Sequence, residues 1–326
     1  PLIMGQMPIL PKHDWAGRDF TQTTLTPPLG GGPYRIANVD AGRSITYERV
    51  ENWWGQDLPV YKGHYNFDRI HVDYYRDANV ALEAFLAGDT TFRVENTAKT
   101  WATAYDNEAV QSGDIILDEI AHEQPAGMQA FVMNIRRPVF QDIAVRKALQ
   151  YTFDFEWSNR QFAFGTYTRT DSYFENSELA SSSLPEGAEL DLLEEFRDNL
   201  PESVFTEMFT NPTTSGTGRN RSQLATANRL LDAAGYEMGA DGIRTHMETG
   251  VRLEFEIIDN QAAFERWVLP MIRNLERVGI KATFRVLDDS QLVNRLRSFD
   301  YDMTIHSFGQ SNSPGNEQRE FWGSAK

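Results

Sequence analysis

Val251-Arg-Leu-Glu-Phe-Glu-Ile257 alternates apolar and charged residues with period two, which predicts a strand with one buried face. After Asp259-Asn260, a candidate N-cap, residues 261–278 place Phe264, Val268, Met271, Leu275 and Val278 at steps of three and four. That spacing is one face of a helix, and Gly279 follows it where a left-handed cap costs least. Pro270 lies inside the helix and predicts a kink, because it removes a backbone donor and crowds the preceding turn. Residues 281–287 are again strand-like, Asp289 is positioned to cap a short helix over 290–298, and 303–308 is a third strand. The order β-α-β-α-β predicts parallel strands joined by crossovers. In open α/β sheets ligands sit beyond the carboxyl ends of the strands, which here is His306-Ser307-Phe308-Gly309-Gln310-Ser311-Asn312.

Upstream, 34–39 and 45–50 predict two strands around the turn Asp40-Ala-Gly42, and 68–75 a third. Asp77, Asp142 and Asp154 each stand where a helix begins, and Ser222 where another begins over 223–234. Strands are also expected over 115–120 and 130–135. Residues 176–221 are mostly loop around one amphipathic helix near 190–196.

With 326 residues the chain has ample length for one large domain or two ordinary ones. Its net charge of −16 argues against nucleic-acid or anionic-membrane partners. The absence of cysteine excludes thiol catalysis, thiolate zinc and disulfides. No apolar run approaches the roughly 18–20 residues of a membrane span. Pro1-Leu-Ile-Met-Gly5 lacks the basic start of a signal peptide, and the chain stops at Ser324-Ala-Lys326. The expectation is an internal piece of a longer protein.

Three motifs admit a catalytic or metal reading, and each also has a plainer one. Gly30-Gly-Gly32 lacks the lysine and strand-to-helix context of a phosphate loop, so a hinge or turn is expected. Asp288, Asp289, Asp300 and Asp302 could supply a glycosidase pair, but caps and solvated turns explain them. His64, Asp68, His71 and Asp73 could hold a metal, yet no supporting histidine pair accompanies them. Seven Trp and twelve Tyr, several in loops, suit either a stacking surface for sugars or peptides or ordinary packing.

Several motifs, in this order, resemble the extracellular solute-binding proteins of ABC importers, the oligopeptide, dipeptide and nickel class known as family 5. They are Thr26-Pro-Pro-Leu-Gly-Gly-Gly-Pro-Tyr34-Arg35, Glu48-Arg-Val-Glu-Asn-Trp-Trp54 and Ala81-Leu-Glu-Ala-Phe-Leu-Ala-Gly88-Asp89. The most recognisable is Phe131-Val-Met-Asn134 through Phe140-Gln-Asp142 to Ala148-Leu149, followed by Ala227-Asn-Arg-Leu-Leu-Asp-Ala-Ala-Gly235-Tyr236. Leu200-Pro-Glu-Ser-Val-Phe205, Pro212-Thr-Thr-Ser-Gly-Thr-Gly218 and Ser311-Asn-Ser-Pro-Gly-Asn-Glu317 are similar to the microcin-C and oligopeptide-type subgroup.

The resemblance implies an α/β fold, one lobe of a two-lobed type II periplasmic-binding-protein-like clamp, with a mixed sheet flanked by helices. Residues 1–33 would then be a piece of the other lobe, 34–305 the ligand-binding lobe, and 306–326 the hinge crossing and return. It implies an extracytoplasmic, non-catalytic protein that hands peptides or peptide-like compounds to ABC permease subunits, without cofactor or metal. Oligosaccharide, metal-chelate or opine ligands are the alternatives within the class, and a glycosidase-like hydrolase the alternative outside it. By position, the residues expected at the ligand are Tyr34, Arg295, His306, Ser307, Phe308, Gly309, Gln310, Ser311 and Asn312. The acidic group with which some relatives hold a free peptide amine falls near Ser311 or Asn312, and neither is charged.

Overall fold

The computed structural model describes residues 4–5, 7–22 and 24–323, in two compact units, Pro1–Val94 and Glu95–Lys326. The ends that suggested an internal piece, 1–3 and 324–326, lie outside the described residues.

The first unit carries an antiparallel sheet, β1 (Tyr34–Asp40), β2 (Ser44–Arg49) and β3 (Arg69–Asp73), in that order. The expected turn is present, closed by the Arg43 amide donating to the Asp40 carbonyl at 2.9 Å. Trp53, only 8 % exposed, is the anchor of this unit, with Tyr61 and Tyr65 against its ring at 4.9 and 5.5 Å. Its indole and that of Trp54 both donate to the Gly31 carbonyl, at 2.7 and 2.9 Å. The glycine run is thus a turn held by two tryptophans. Helix α1 (Ala78–Leu86) starts at Asp77, whose carboxylate accepts from the Asn79 and Val80 amides.

The second unit runs β4 (Met128–Met133), α2 (Ile143–Gln150), α3 (Phe155–Phe162), α4 (Arg221–Ala233), and a hairpin of β5 (Tyr236–Met238) and β6 (Arg244–His246). It continues with β7 (Glu254–Asp259), α5 (Glu265–Arg277), β8 (Lys281–Val286), α6 (Asp289–Arg297), β9 (Met303–Phe308) and α7 (Glu317–Trp322). The sheet order is β4-β9-β7-β8, with β7, β8 and β9 parallel and β4 antiparallel to β9. It is a mixed sheet flanked by helices. The parallel part is the β-α-β-α-β unit that the periodicity predicts.

One face of the sheet meets α2, α4 and α5 in the main core, where Phe140, Val145, Leu231, Ile257, Val268 and Leu275 are at most 1 % exposed. The other face meets α6 through Ile258, Leu287 and Leu292. Burial on both faces explains why the period-two alternation of β7 ends in the doublet Ile257-Ile258.

Five local expectations are corrected. The strand at 251–257 begins only at Glu254, because Val251 and Leu253 bond instead to His246 and Arg244 of the hairpin, at 2.9 Å each. Asp259-Asn260 leads into a 3-10 turn (Ala262–Phe264), so α5 starts at Glu265, and it runs through Pro270 to Arg277. The cap of α6 is Asp288, which accepts from the Gln291 amide at 2.9 Å, rather than Asp289. Helix α4 starts at Arg221 after Asn220, with no side-chain cap from either Asn220 or Ser222. Residues 115–120 form no strand, and Ile116 and Ile120 are 83 % and 77 % exposed. β-propensity without a neighbouring strand to pair with does not make a strand.

Candidate ligand-binding site

β9 is flanked unequally. Antiparallel to β4 it is paired along its whole length, Met303 with Met133 through Phe308 with Met128. Parallel to β7 it pairs only at Met303 and Thr304, because β7 ends at Asp259. Beyond Thr304, the residues up to Phe308 therefore have no paired strand residue on the β7 side among the described residues. His306 and Ser307 are exposed.

The expected site residues separate into groups. Tyr34, in the first unit, donates its hydroxyl to the Phe67 carbonyl at 2.7 Å and meets the Tyr65 ring edge-on. His306, Ser307 and Phe308 are the outer half of β9. Gln129 of β4 donates to Ser307 Oγ at 3.4 Å. Phe308 is half-buried in an aromatic cluster with Tyr173, Phe321 and Trp322, at centroid distances of 5.5, 5.6 and 6.1 Å, and the His306 ring lies against its edge. Gly309, Ser311 and Asn312 are exposed, whereas Gln310 turns in and its Oε1 accepts from Gln318 of α7 at 2.6 Å. The buried Nε2 of Gln310 has no partner among the described residues.

Arg295 is elsewhere. Its guanidinium donates to the Asp300 carbonyl at 2.7 Å and to Glu256 Oε2 at 2.8 Å, which ties α6 to the start of β9. One strand length, ~20 Å at ~3.3 Å per residue, separates that end from Gly309. The structure does not bring Arg295 together with residues 306–312.

The second unit contains a cavity of about 1060 Å³ that β9 reaches with Met303 and Ile305 and β4 with Met128 to Phe131 and Met133. Cross-strand partners share a sheet face, so Phe131 with Ile305 and Met133 with Met303 form one wall. Phe264 and Trp267 from the start of α5, Phe153 after α2, and the loop 167–174 form the others. Tyr167 is nearly parallel to Trp267, with centroids 6.1 Å apart. Such a space combines a wide apolar surface with a few polar groups, the usual make-up of a small-molecule site.

The loop 167–174 escapes the sequence reading because it has no period. Its alternation of aromatic, hydroxyl and charged side chains, Tyr167-Thr-Arg-Thr-Asp-Ser-Tyr-Phe174, is the signal available. Trp267 also has a signal, since it lies three residues after Phe264 and four before Met271 and widens the helical stripe.

The acidic cluster is committed to structure. Asp288 caps α6, Asp289 accepts from Asn260, and Asp300 pairs with Arg137 at 2.9 Å. Asp302 accepts from the Glu256 amide and pairs with Arg137 as well. In the other unit Asp68 pairs with Arg49, and His71 contacts Thr46 and Asp73. Among the described residues no three His, Asp or Glu side chains converge on a metal position, and no helix is long and apolar enough to cross a membrane.

Residues 1–326 match the family described as bacterial extracellular solute-binding proteins, family 5 Middle. The chain is 43 % identical to the probable peptide-binding protein YejA of Agrobacterium fabrum, over 100 % of this chain and 54 % of that protein. In fold it is similar to the oligopeptide-binding protein AppA from Bacillus subtilis in complex with a nonapeptide, with a TM-score of 0.61 at 20 % identity, over 95 % of this chain and 54 % of that one. It is also similar to lactococcal OppA complexed with an endogenous peptide, with a TM-score of 0.62 at 16 % identity, over 95 % and 54 %. The chain thus spans about half the length of the curated relatives it matches.

Proposed function

Because this chain belongs to family 5 of the bacterial extracellular solute-binding proteins, we propose that it is part of the substrate-binding component of an ABC importer that captures peptides or peptide-like compounds. The observation that carries this reading is the offset between β7 and β9. Beyond Thr304 the strand β9 has no paired strand on the β7 side, so its outward backbone groups there, those of Ser307 among them, stay open next to a large cavity that begins at Ile305. A ligand with its own peptide groups can add to such an edge as a further strand, while its side chains enter the cavity. Main-chain pairing of this kind takes affinity from groups that every peptide shares, and leaves side-chain preference to the cavity walls.

In this reading His306 to Asn312 line the ligand and continue as the crossing of 306–326 toward a second lobe. Arg295 supports the strand from its far end instead of touching the ligand. The protein works outside the cytoplasm and passes its cargo to a membrane permease. The name borne by the Agrobacterium relative supports peptide as the cargo.

Amide hydrogen exchange tests the reading. Adding saturating trialanine to the full-length protein is expected to slow exchange in a fragment covering 303–312 and to leave β8 unchanged. Binding without added protection at 305–308 overturns strand addition. No binding by any member of a tripeptide library overturns the peptide reading itself.

A further inference from the structure

The cavity is positively lined in a negatively charged protein. Its charged walls are Arg146, Arg169 and Arg266 against Asp171 alone, although the chain carries a net charge of −16. Two of these arginines are ordinary. Arg146 donates to the Phe140 and Gln141 carbonyls at 2.6 and 2.8 Å, and Arg266 is exposed on the first turn of α5.

Arg169 is different. It is partly buried, with its guanidinium 5.8 and 5.7 Å from the ring centres of Phe153 and Phe155. Nη1 donates to the Pro212 carbonyl at 2.6 Å, and no ion pair to a carboxylate accompanies that bond among the described residues. Most of its five donors are left over. Burial draws the group below the usual arginine range, against the pull of Glu156, Asp171 and Asp154.

Those three acids are nearby and each has one oxygen engaged elsewhere, while Asp154 Oδ2 is buried without a partner among the described residues. Asp154 caps α3 and accepts from the Thr214 hydroxyl. Glu156 accepts from the Thr214 amide and hydroxyl, at 3.0 and 3.1 Å. Asp171 accepts from the Asn211 amide at 3.0 Å. They fasten the segment 211–214 and leave the guanidinium facing a cavity with unused hydrogen-bond donors.

We propose that Arg169 is the anion-binding residue of this cavity, and that the bound ligand presents to it a free carboxylate next to an apolar or aromatic side chain. This rests on the peptide reading and narrows it. A planar guanidinium fork matches a carboxylate in two parallel hydrogen bonds, and its desolvated setting makes each bond stronger than at a surface. Phe131, Phe153 and Trp267 supply the apolar wall for the neighbouring side chain. A phosphate fits less well, because a dianion would lie close to Asp171 with a single unengaged buried cation to balance it. The carboxylate can come from the ligand's C-terminus or from an acidic side chain.

Calorimetry on the full-length protein separates these cases. The probes are Ala-Ala-Phe, the same peptide with a C-terminal amide, Ala-Glu-Phe amide, N-acetylphenylalanine and inorganic phosphate. The free acid is expected to bind at least about tenfold tighter than its amide, the effect of one charge-assisted pair. Arg169→Met is expected to bring the acid down to the amide's affinity and to leave the amide within about twofold; Arg169→Lys recovers part of the loss. The acid–amide difference in the unaltered protein is independent of whether any variant folds.

Ala-Glu-Phe amide binding as tightly as the acid, again dependent on Arg169, supports the carboxylate and assigns it to a side chain. Equal binding of acid and amide, or an equal loss of both in Arg169→Met, overturns the inference and leaves the peptide reading intact. Displacement of the acid by millimolar phosphate overturns it in favour of a general oxyanion site. If only N-acetylphenylalanine binds, and loses affinity in Arg169→Met, the carboxylate site stands and the peptide reading falls.

Discussion

Arg244 carries its charge into the interior, at 5 % exposure, and each guanidinium nitrogen finds an acceptor there. Nε donates to the Val278 carbonyl at 2.9 Å, Nη1 to the Tyr236 carbonyl and Asp232 at 2.6 Å each, and Nη2 to Asn228 at 2.9 Å. One side chain thereby joins α4, the hairpin and the end of α5. Arg244→Ala leaves these acceptors without donors, and a loss of about 3–5 kcal/mol is expected in urea unfolding. Arg244→Lys recovers less than half of it, because an ammonium cannot span the fork. Asp259, 3 % exposed at the end of β7, has the opposite character. Burial raises its carboxyl above the usual range, although its Oδ1 accepts from the Gln261 amide at 2.7 Å. A raised folded-state value means that the native protein holds this proton longer than the unfolded chain does. The resulting penalty is absent below the unfolded value of about 4 and grows as pH rises through the folded one. Asp259→Asn keeps the acceptor without the charge. It is expected to unfold at higher urea than the parent at pH 7, with the gain vanishing near pH 3. Local roles such as the caps at Asp77, Asp142 and Asp154 are legible in sequence, since their partners lie two or three residues on. Arg169 and Arg244 are not, because their partners are brought to them by chain reversals.

At the scale of elements, the end of α5 shows how a helix and its surroundings divide a stability effect. Gly279 has φ +78°, and a Cβ there would meet Met238 sulfur at 2.7 Å and Arg244 Cγ at 2.8 Å. Gly242, in the hairpin turn, has φ +79° with open space around it. Gly242→Ala is expected to cost about 1 kcal/mol, the backbone strain alone, and Gly279→Ala measurably more, because Met238 and Arg244 must also shift. Matched thermal melts of the two variants give the difference. The apolar stripe of α5 and the limits of β9 follow from spacing in the sequence, and both are found in place. The end of β7 does not follow. Its first apolar residues are taken by the hairpin, so the whole strand moves toward its C-terminus, and the register with β9 is settled by packing against α5. The open edge beyond Thr304 exists because of that register.

At the scale of the molecule, the net charge of −16 and the arginine-lined cavity act on a ligand over different distances. An anionic peptide is repelled by the whole protein beyond a few ångströms and attracted only once inside. Association of N-acetyl-Ala-Ala-Phe, a monoanion at pH 7, is therefore expected to speed up as ionic strength rises from about 10 mM to about 150 mM, where the screening length falls to about 8 Å. Ala-Ala-Phe amide, carrying only a positive terminus, is expected to slow. Stopped-flow fluorescence, with Trp267 in the cavity wall as reporter, measures both. A decrease for the acid would mean that the local field of the arginines governs approach.

Family and fold class were legible from sequence because they are written in order and spacing: an apolar stripe, a capping aspartate, a glycine after a helix, and motifs that keep their sequence along the chain. Each of these needs only neighbours within a few residues. The cavity was not legible, because its walls come from β4, α5, β9 and the loop 167–174, which are far apart in the chain and share no period. Which arginine is tied down and which keeps free donors was likewise decided only in three dimensions, where the 211–214 segment takes up the acids that surround Arg169.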